Sequence, residues 1–512
     1  MGEIISGRRR VSLEALNERA ARAATGLASL GVKRGDLVAL YLRNDLPFFE
    51  ATFAAGLLGA YPTPVNWHYA EAEARYLFEN SGARAIIIHA DLIDSIRGAL
   101  PSGVPVLVVA TPPEIADAYG IDAVQVPEGM IDWASWLESF APFDQPLAEP
   151  PGTVIYTSGT TGHPKGVRRN QPTPEQVAMS RQVGAEAFGF AKWMDCPEQI
   201  VTVMTGPMYH SAPNSYGIAA ARLGATVILE ARFDPEDLLA MIERCKVTHI
   251  HMVPIMFSRL LRLPDDVKSK YDLSSLKFVV HGAAPCSVTV KRAMIDWWGP
   301  VINEYYGSTE VGIVVISTSG EWLAHPGTVG RPIAAADVRV IDANNNSLPA
   351  GEIGEVIARI SGTADFTYHG DDAKRAASEK VGLIAPGDIG YLDIDGFLYL
   401  CDRAKDMIIS GGANIYPAEI EAELQKIPGV ADCAVFGIPD EDFGEAVCAA
   451  VQLLSGASLT DADVRSYLRS QMAGYKVPKQ VDFHAELPRE DSGKIFKRKL
   501  REPFWAGLDR RI

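Results

Sequence analysis

Tyr156-Thr157-Ser158-Gly159-Thr160-Thr161-Gly162-His163-Pro164-Lys165-Gly166-Val167 is the stretch whose reading decides the rest. It packs glycines and small hydroxyl residues beside one lysine, behind Thr153-Val154-Ile155-Tyr156, which reads as a strand. A loop of this composition suits polyphosphate. Glycines let the backbone approach and turn N–H groups toward oxygens, hydroxyls donate further bonds, and Lys165 brings charge. The order differs from the G-x-x-x-x-G-K-[ST] of a Walker loop, which excludes a GTPase or AAA-type reading. An ordinary surface turn rarely strings five Ser, Thr and Gly residues ahead of Pro-Lys-Gly.

Around this loop, strand-like and helix-like segments alternate. Leu13, Leu16, Ala20, Ala23, Leu27 and Leu30 form one helical stripe closed by Gly31. Leu37-Val38-Ala39-Leu40-Tyr41-Leu42, Ala85-Ile86-Ile87-Ile88 and Val104-Pro105-Val106-Leu107-Val108-Val109 read as buried strands. The pattern resumes at Val201-Thr202-Val203-Met204, Ala225-Thr226-Val227-Ile228-Leu229 and Lys277-Phe278-Val279-Val280, with Asp234-Pro235-Glu236 opening a helix through Cys245. Such alternation predicts an α/β fold with mostly parallel sheet. From about Val338 short strands among Asp, Gly and Asn turns predict a β-rich subdomain. After Asp402-Arg403 a small α+β domain is expected: a helix from Pro417 to Lys426, strands near Ala434 and Val447, a helix from Asp461 to Gln471 and a basic tail. The expected domains are 1–402 and 403–512.

The chain of 512 residues is long enough for two or more domains, and its 47% hydrophobic and 22% charged residues are ordinary for a globular protein. A net charge of −16 argues against a nucleic-acid binder. Six scattered cysteines form no C-x-x-C pair, so neither a zinc framework nor a disulfide scaffold is expected. No signal-peptide core or membrane-spanning apolar run occurs, and a cytoplasmic location is the expectation.

Four more segments join the loop. Asn303-Glu304-Tyr305-Tyr306-Gly307-Ser308-Thr309-Glu310 offers a flat aromatic, a tight turn and a carboxylate. Pro386-Gly387-Asp388-Ile389-Gly390-Tyr391 sets an acid in a Gly-bounded turn, Asp402-Arg403-Ala404-Lys405-Asp406 is a charged junction, and Asp491-Ser492-Gly493-Lys494 holds a lysine near the C-terminus. Taken singly, each has a dull explanation as a turn or solvated surface.

In this combination and order, over about residues 10–500, the chain resembles the acyl-CoA synthetases of the adenylate-forming superfamily. The resemblance implies a large N-terminal domain of parallel-rich α/β sheets plus the β-rich subdomain, and a small mobile C-terminal domain. It implies a two-step reaction: a carboxylate attacks the α-phosphate of ATP to give acyl-AMP and pyrophosphate, and the thiol of coenzyme A then takes the acyl group. Thr157, Ser158, Gly159, Thr160, Thr161 and Lys165 would hold the β- and γ-phosphates. Tyr306 would stack on adenine, with Gly282, Ala283, Ala284 and Pro285 as the other wall and Glu304, Tyr305, Gly307 and Ser308 along the nucleotide. Thr309 would contact the α-phosphate, and Glu310 would bind Mg²⁺. Asp388 would accept the ribose hydroxyls, with Arg403 on the same sugar. Lys494 would offset charge where the two anions meet. Lys405 falls at the family's hinge, about which the small domain rotates, replacing Lys494 by Ser410-Gly411-Gly412-Ala413-Asn414 as the lining of a pantetheine tunnel. His210 would sit beside the acyl carboxylate, its strand leading it to the same sheet edge as the phosphate loop.

The acyl pocket implied by the resemblance takes in Tyr209, His210, Tyr216, Met252, Val253, Met256, His281 and Tyr305. No acid stands in residues 203–215 to pair with an α-amino group, so an amino-acid substrate is not expected. A hydrophobic monocarboxylic acid is favoured, medium- or long-chain fatty first, aryl or alicyclic as alternatives. Tyr305 stands where many aryl- and fatty-acid activators carry Gly, which suggests a gate. Arg168 and Arg169 read as solvated more readily than as phosphate ligands. Lys497, Arg498, Lys499 and Arg501 could draw CoA phosphates or form a solvated helix face. Transfer to a carrier protein is the close alternative, disfavoured because no carrier segment follows; an inactive ligand-binding relative is the distant one. Oligomeric state is not legible, and a homodimer is left open.

Overall fold

The computed structural model describes residues 2–145, 149–157, 164–403, 405–489 and 495–506. The expected strands appear where alternation put them, and among the described residues they assemble into five sheets. A nine-stranded sheet has at its centre the parallel strands Ile302–Ser308, Phe278–His281, His249–Met252, Val201–Met204 and Thr226–Leu229, in that spatial order. A second, all-parallel sheet is built on Leu37–Tyr41 and Ala85–His89, both fully buried. Its strands are near-continuous apolar runs, as helices on both faces require. The helix Leu13–Ser29 covers part of this core. Ser12 Oγ caps it from 3.2 Å, and Leu16, Ala20, Ala23 and Leu27 are buried along the expected stripe.

One piece lies outside the sequence expectation. The first residues form the strand hairpin Glu3–Ser6 and Arg9–Ser12, and Glu3–Ser6 adds to the large sheet in parallel with Thr226–Leu229. Arg9 is drawn to Asp45 at 2.5 Å and to Glu114 at 2.7 Å, which ties this hairpin to the body.

The β-rich region is an antiparallel sheet centred on Gly354–Ile360, with Ala336–Ile341, Asp388–Leu392 and Leu398–Arg403. Between Leu398–Arg403 and Ile408–Ser410 the chain passes into another sheet, in which the long antiparallel strands Val430–Asp440 and Gly444–Leu453 pair and Gln480–His484 adds in parallel. The helices Pro417–Leu424, Asp461–Gln471 and Lys497–Trp505 accompany it, giving the small α+β C-terminal domain.

A buried ion pair anchors the central strand of the large sheet. Lys291, on the helix Val288–Trp298, is fully buried and donates to Glu304 on Ile302–Ser308; the Trp322 ring lies 5.1 Å from the ammonium. Burial pushes the Glu304 carboxyl upward and Lys291 draws it back. His281 Nε2, 3.6 Å from Glu304, is held well below its ordinary value by burial and by Lys291, so it is neutral. Removing one member strands the other in a dry site. Lys291→Met is expected to cost about 3–5 kcal/mol in urea unfolding, and adding Glu304→Leu to recover most of it. A Lys291→Met variant as stable as the parent would show that water reaches Glu304.

Candidate functional site

The central strands run parallel, so their C-terminal ends share one edge, where ligands of open α/β sheets gather. Tyr209 and His210 follow Val201–Met204, Val253 follows His249–Met252, Gly282 to Pro285 follow Phe278–His281, and Thr309 and Glu310 follow Ile302–Ser308. A cleft of about 2210 Å³ opens there, and the C-terminal domain closes part of its wall. Thr157, Lys165, Ala283, Ala284, Pro285 and Glu304 to Glu310 line it, as do Asp388, Arg403, Lys405, Tyr209, His210, Met252, Val253 and Met256.

The phosphate loop is carried differently from the expectation. The strands that flank it belong to a separate three-stranded antiparallel sheet rather than to the sheet that leads to His210. Ile155–Thr157 and Lys165–Arg169 are hairpin partners, and Thr157 faces Lys165 directly across the ladder. Ser158, Gly159, Thr160 and Thr161 lie outside the described residues, as does Lys494. The two regions are nevertheless linked: Thr153 Oγ1 donates to Asn214 Oδ1 at 3.0 Å, and Asn214 Nδ2 donates to the Met208 carbonyl at 2.9 Å. His210 itself precedes the helix Ser211–Leu223 as its N-cap residue.

Tyr306, Asp388 and Arg403 form one cluster. The Tyr306 hydroxyl donates to Asp388 Oδ2 at 2.7 Å, and Arg403 Nε lies 3.0 Å from Oδ1. Asp388 and Arg403 are register partners on adjacent strands, which fixes their pairing. Burial and the neighbouring carboxylate drive the Tyr306 phenol well above its ordinary value, so it acts as a donor. Ala283 adopts φ +66°, a left-handed conformation rare outside glycine, on the facing wall. Gly282 is required by the ring beneath it, since a Cβ there would meet Tyr305 at 2.9 Å.

At the polyphosphate end, Glu310 Oε1 accepts from the Tyr368 hydroxyl at 3.1 Å. Arg169 turns inward and Nη2 donates to the Thr309 carbonyl at 2.9 Å, so it is not the solvated residue expected; burial lowers its pKa against the pull of Glu310. Arg168 lies over the Tyr61 ring at 4.4 Å. Glu310 offers a carboxylate oxygen with no protein donor among the described residues. A hard oxygen donor of this kind suits Mg²⁺ when phosphate oxygens complete its shell.

Several expected residues stand elsewhere. Tyr216 is fully buried behind the cleft, its hydroxyl 2.8 Å from Thr202 Oγ1, and the fully buried His281 sits beside Glu304. Neither lines the cleft, because each is held by core packing. The Glu304 side chain is committed to Lys291. Gly411 and Gly412 form the exposed two-residue turn between Ile408–Ser410 and Ala413–Ile415, at φ +57° and +81°, away from the cleft wall. The basic tail is largely neutralised: Lys497 pairs with Glu421 at 2.8 Å, Arg498 with Glu502 at 3.0 Å, and Arg501 approaches Asp406 at 3.6 Å. Tyr305 does line the cleft, and its hydroxyl bonds to His251 Nε2 at 2.9 Å. Burial lowers His251 to about 4, so the ring is neutral.

The sequence reading missed His251, Tyr368 and Lys374, and it read Arg169 as solvated. No motif marks them, and each reaches the cleft through sheet pairing or a short helix.

A family profile for AMP-binding enzymes matches residues 3–365, and one for the AMP-binding enzyme C-terminal domain matches residues 419–494. A feruloyl-CoA synthase from an Amycolatopsis species is 32% identical, covering 96% of this chain and 93% of its own. A long-chain-fatty-acid–CoA ligase of Mycobacterium tuberculosis is 31% identical, covering 97% and 94%. The solved structure of an amide bond synthetase from Marinactinospora thermotolerans superposes with a TM-score of 0.84 at 25% identity, covering 98% and 97%.

The Lys165 ammonium is lowered to about 8 by burial and by neighbouring Lys374, so its charge is present below that pH and lost above it. The apparent affinity for ATP is therefore expected to fall as pH rises through about 8, and Lys165→Arg to flatten the profile. A pH-independent KM for ATP in the parent enzyme would contradict this.

Proposed function

The chain belongs to the AMP-binding enzyme family, and from that premise we propose that it is an ATP-dependent, AMP-forming ligase that joins a hydrophobic monocarboxylic acid to coenzyme A. The observation that carries the reading is the single cleft in which the Tyr306–Asp388–Arg403 cluster, Glu310 and Lys165 meet an apolar chamber bounded by Tyr209, Met252 and Met256. The residues divide the work by their chemistry. Asp388, with two acceptor oxygens and Arg403 beside it, suits the ribose hydroxyls, and the flat Tyr306 ring suits adenine. Lys165 and the loop behind Thr157 grip the leaving pyrophosphate. Glu310 would hold magnesium, which neutralises phosphate charge when bound. Lys494 is assigned to the α-phosphate and the incoming carboxylate, where positioning and charge neutralisation lower the barrier.

The passage between sheets after Arg403 supports a boundary between domains 1–402 and 403–512 hinged at Lys405. In this reading the turn at Gly411 and Gly412 reaches the pantetheine only after the small domain has rotated. The two curated relatives act, by their names, on a hydroxycinnamic and a long fatty acid, so the acid is not inherited from the family. The Met-lined chamber favours a medium- or long-chain fatty acid, since methionine adapts to flexible apolar ligands. A second acceptor deserves the same assay, because the similar solved structure is an amide bond synthetase.

Pyrophosphate release across a panel of fatty, aryl and alicyclic acids, with and without CoA, tests the proposal. Acid-dependent release with thioester formed on adding CoA is expected. Release that yields no thioester with CoA, but an acylated carrier protein or amine, would replace the acceptor. Tyr305→Gly is expected to raise kcat/KM for bulkier acids by about tenfold or more. An unchanged acid profile would remove Tyr305 as a gate.

A further inference from the structure

We propose that Lys374 is a second phosphate-binding lysine, which grips the pyrophosphate end of the nucleotide together with Lys165. The strand Phe366–Tyr368 pairs with Lys165–Arg169, and the His369 N–H donates to the Gly166 carbonyl at 2.7 Å. That pairing sets the turn after Tyr368 beside Lys165. Asp371 then caps the short helix Asp372–Ala377, its Oδ1 accepting from the Lys374 N–H at 3.0 Å. The first turn of this helix sets Lys374 on the same side as Lys165, and both lysines line the cleft, near enough that Lys374 lowers the Lys165 pKa.

Two ammonium groups in contact repel, and proteins normally place a carboxylate between them. Among the described residues no carboxylate lies within ion-pair distance of either lysine. Asp371 and Glu310 pull the Lys165 charge back in part from a greater distance, and other acids of this region are engaged elsewhere. Arg375 takes Asp365 and Glu379, both at 2.9 Å, and the Thr367 hydroxyl takes Asp372 at 2.5 Å. Glu310 accepts from Tyr368. Two lysines set together on the cleft wall offer cationic donors to an anion that enters the cleft. The depressed Lys165 pKa reports the same frustration. A polyphosphate satisfies both lysines at once, since a di- or triphosphate carries several charged oxygens along its length.

The inference rests on the adenylation reading, and the two halves of the product separate its failure from the failure of that reading. Inorganic pyrophosphate and AMP, each with Mg²⁺, are titrated calorimetrically into the full chain, into Lys374→Gln and into Lys374→Arg. Loss of one charge-assisted contact is expected to weaken pyrophosphate binding about tenfold or more in Lys374→Gln, with AMP affinity changed less than about twofold and Lys374→Arg restoring most of the loss. KM for ATP should rise in parallel. Unchanged pyrophosphate affinity in Lys374→Gln, or equal weakening of pyrophosphate and AMP, overturns the proposal. A parent chain that binds neither ligand overturns the adenylation reading itself.

Discussion

The hydrogen bond from Tyr306 to Asp388 joins parts of the molecule that are far apart in sequence. Tyr306 belongs to the central parallel sheet and Asp388 to the antiparallel one, and 2.7 Å separates their oxygens. Asp388 is paired in register with Arg403, the last residue before the chain leaves for the C-terminal domain. One carboxylate thus fixes the position of an aromatic wall, the tilt of a second sheet against the first, and the root of the connection to the small domain. Its desolvation is tolerable because both oxygens are engaged, one by a phenol and the other by a guanidinium. Ribose hydroxyls would enter as further donors to the same acceptor, so nucleotide binding tightens an arrangement already present.

Charge is distributed to the same end. A chain of net charge −16 must concentrate cations where phosphate is to bind. Around the hairpin of Ile155–Thr157 and Lys165–Arg169, Lys165 and Lys374 stand together, with Asp371 and Glu310 only partly offsetting the lowering of the Lys165 pKa, and Arg169 braces the backbone at Thr309. Basic residues elsewhere are consumed. Lys497 is surrounded by Glu421, Asp402 and Asp406, which raise its pKa against the cost of burial. That pairing fastens the final helix onto the C-terminal domain and offsets the Lys497 charge. Abundance of basic residues in a tail says little; whether each has a nearby acid decides what it can bind.

The legible parts of the fold were those whose signal is local. Buried parallel strands such as Ala85–His89 are apolar without interruption, and the helix Pro235–Cys245 announces itself through Asp234 and proline. The N-terminal hairpin was not legible, because its strands have four residues each and Glu3–Ser6 joins the large sheet through Thr226–Leu229, more than 200 residues away. The same holds at the site. Asp388 and Glu310 lie in compact motifs. Lys374 and Tyr368 arrive through the pairing of Phe366–Tyr368 with the phosphate hairpin, a contact between distant segments that leaves no periodic trace. The expectation that one sheet edge carries both His210 and the phosphate loop is not met, because the strands flanking the loop pair in a small sheet of their own.

The acyl chamber was least legible for a related reason. Its wall is drawn from the ends of several strands and from helices that pack over them, so no single segment encodes its shape. Tyr305 illustrates this. From sequence it is a bulky residue where glycine is common, and a swinging gate is the natural reading. In the structure its ring presses on Gly282 and its hydroxyl is bonded to a neutral, buried His251 at 2.9 Å. Swinging out would leave two polar groups unsatisfied in a dry pocket, at a cost of about 1–3 kcal/mol each. Tyr305 is therefore held in the cleft wall by the His251 bond and by its packing on Gly282. In the proposed reading, the space open to the acid is bounded by that braced unit rather than by one side chain alone.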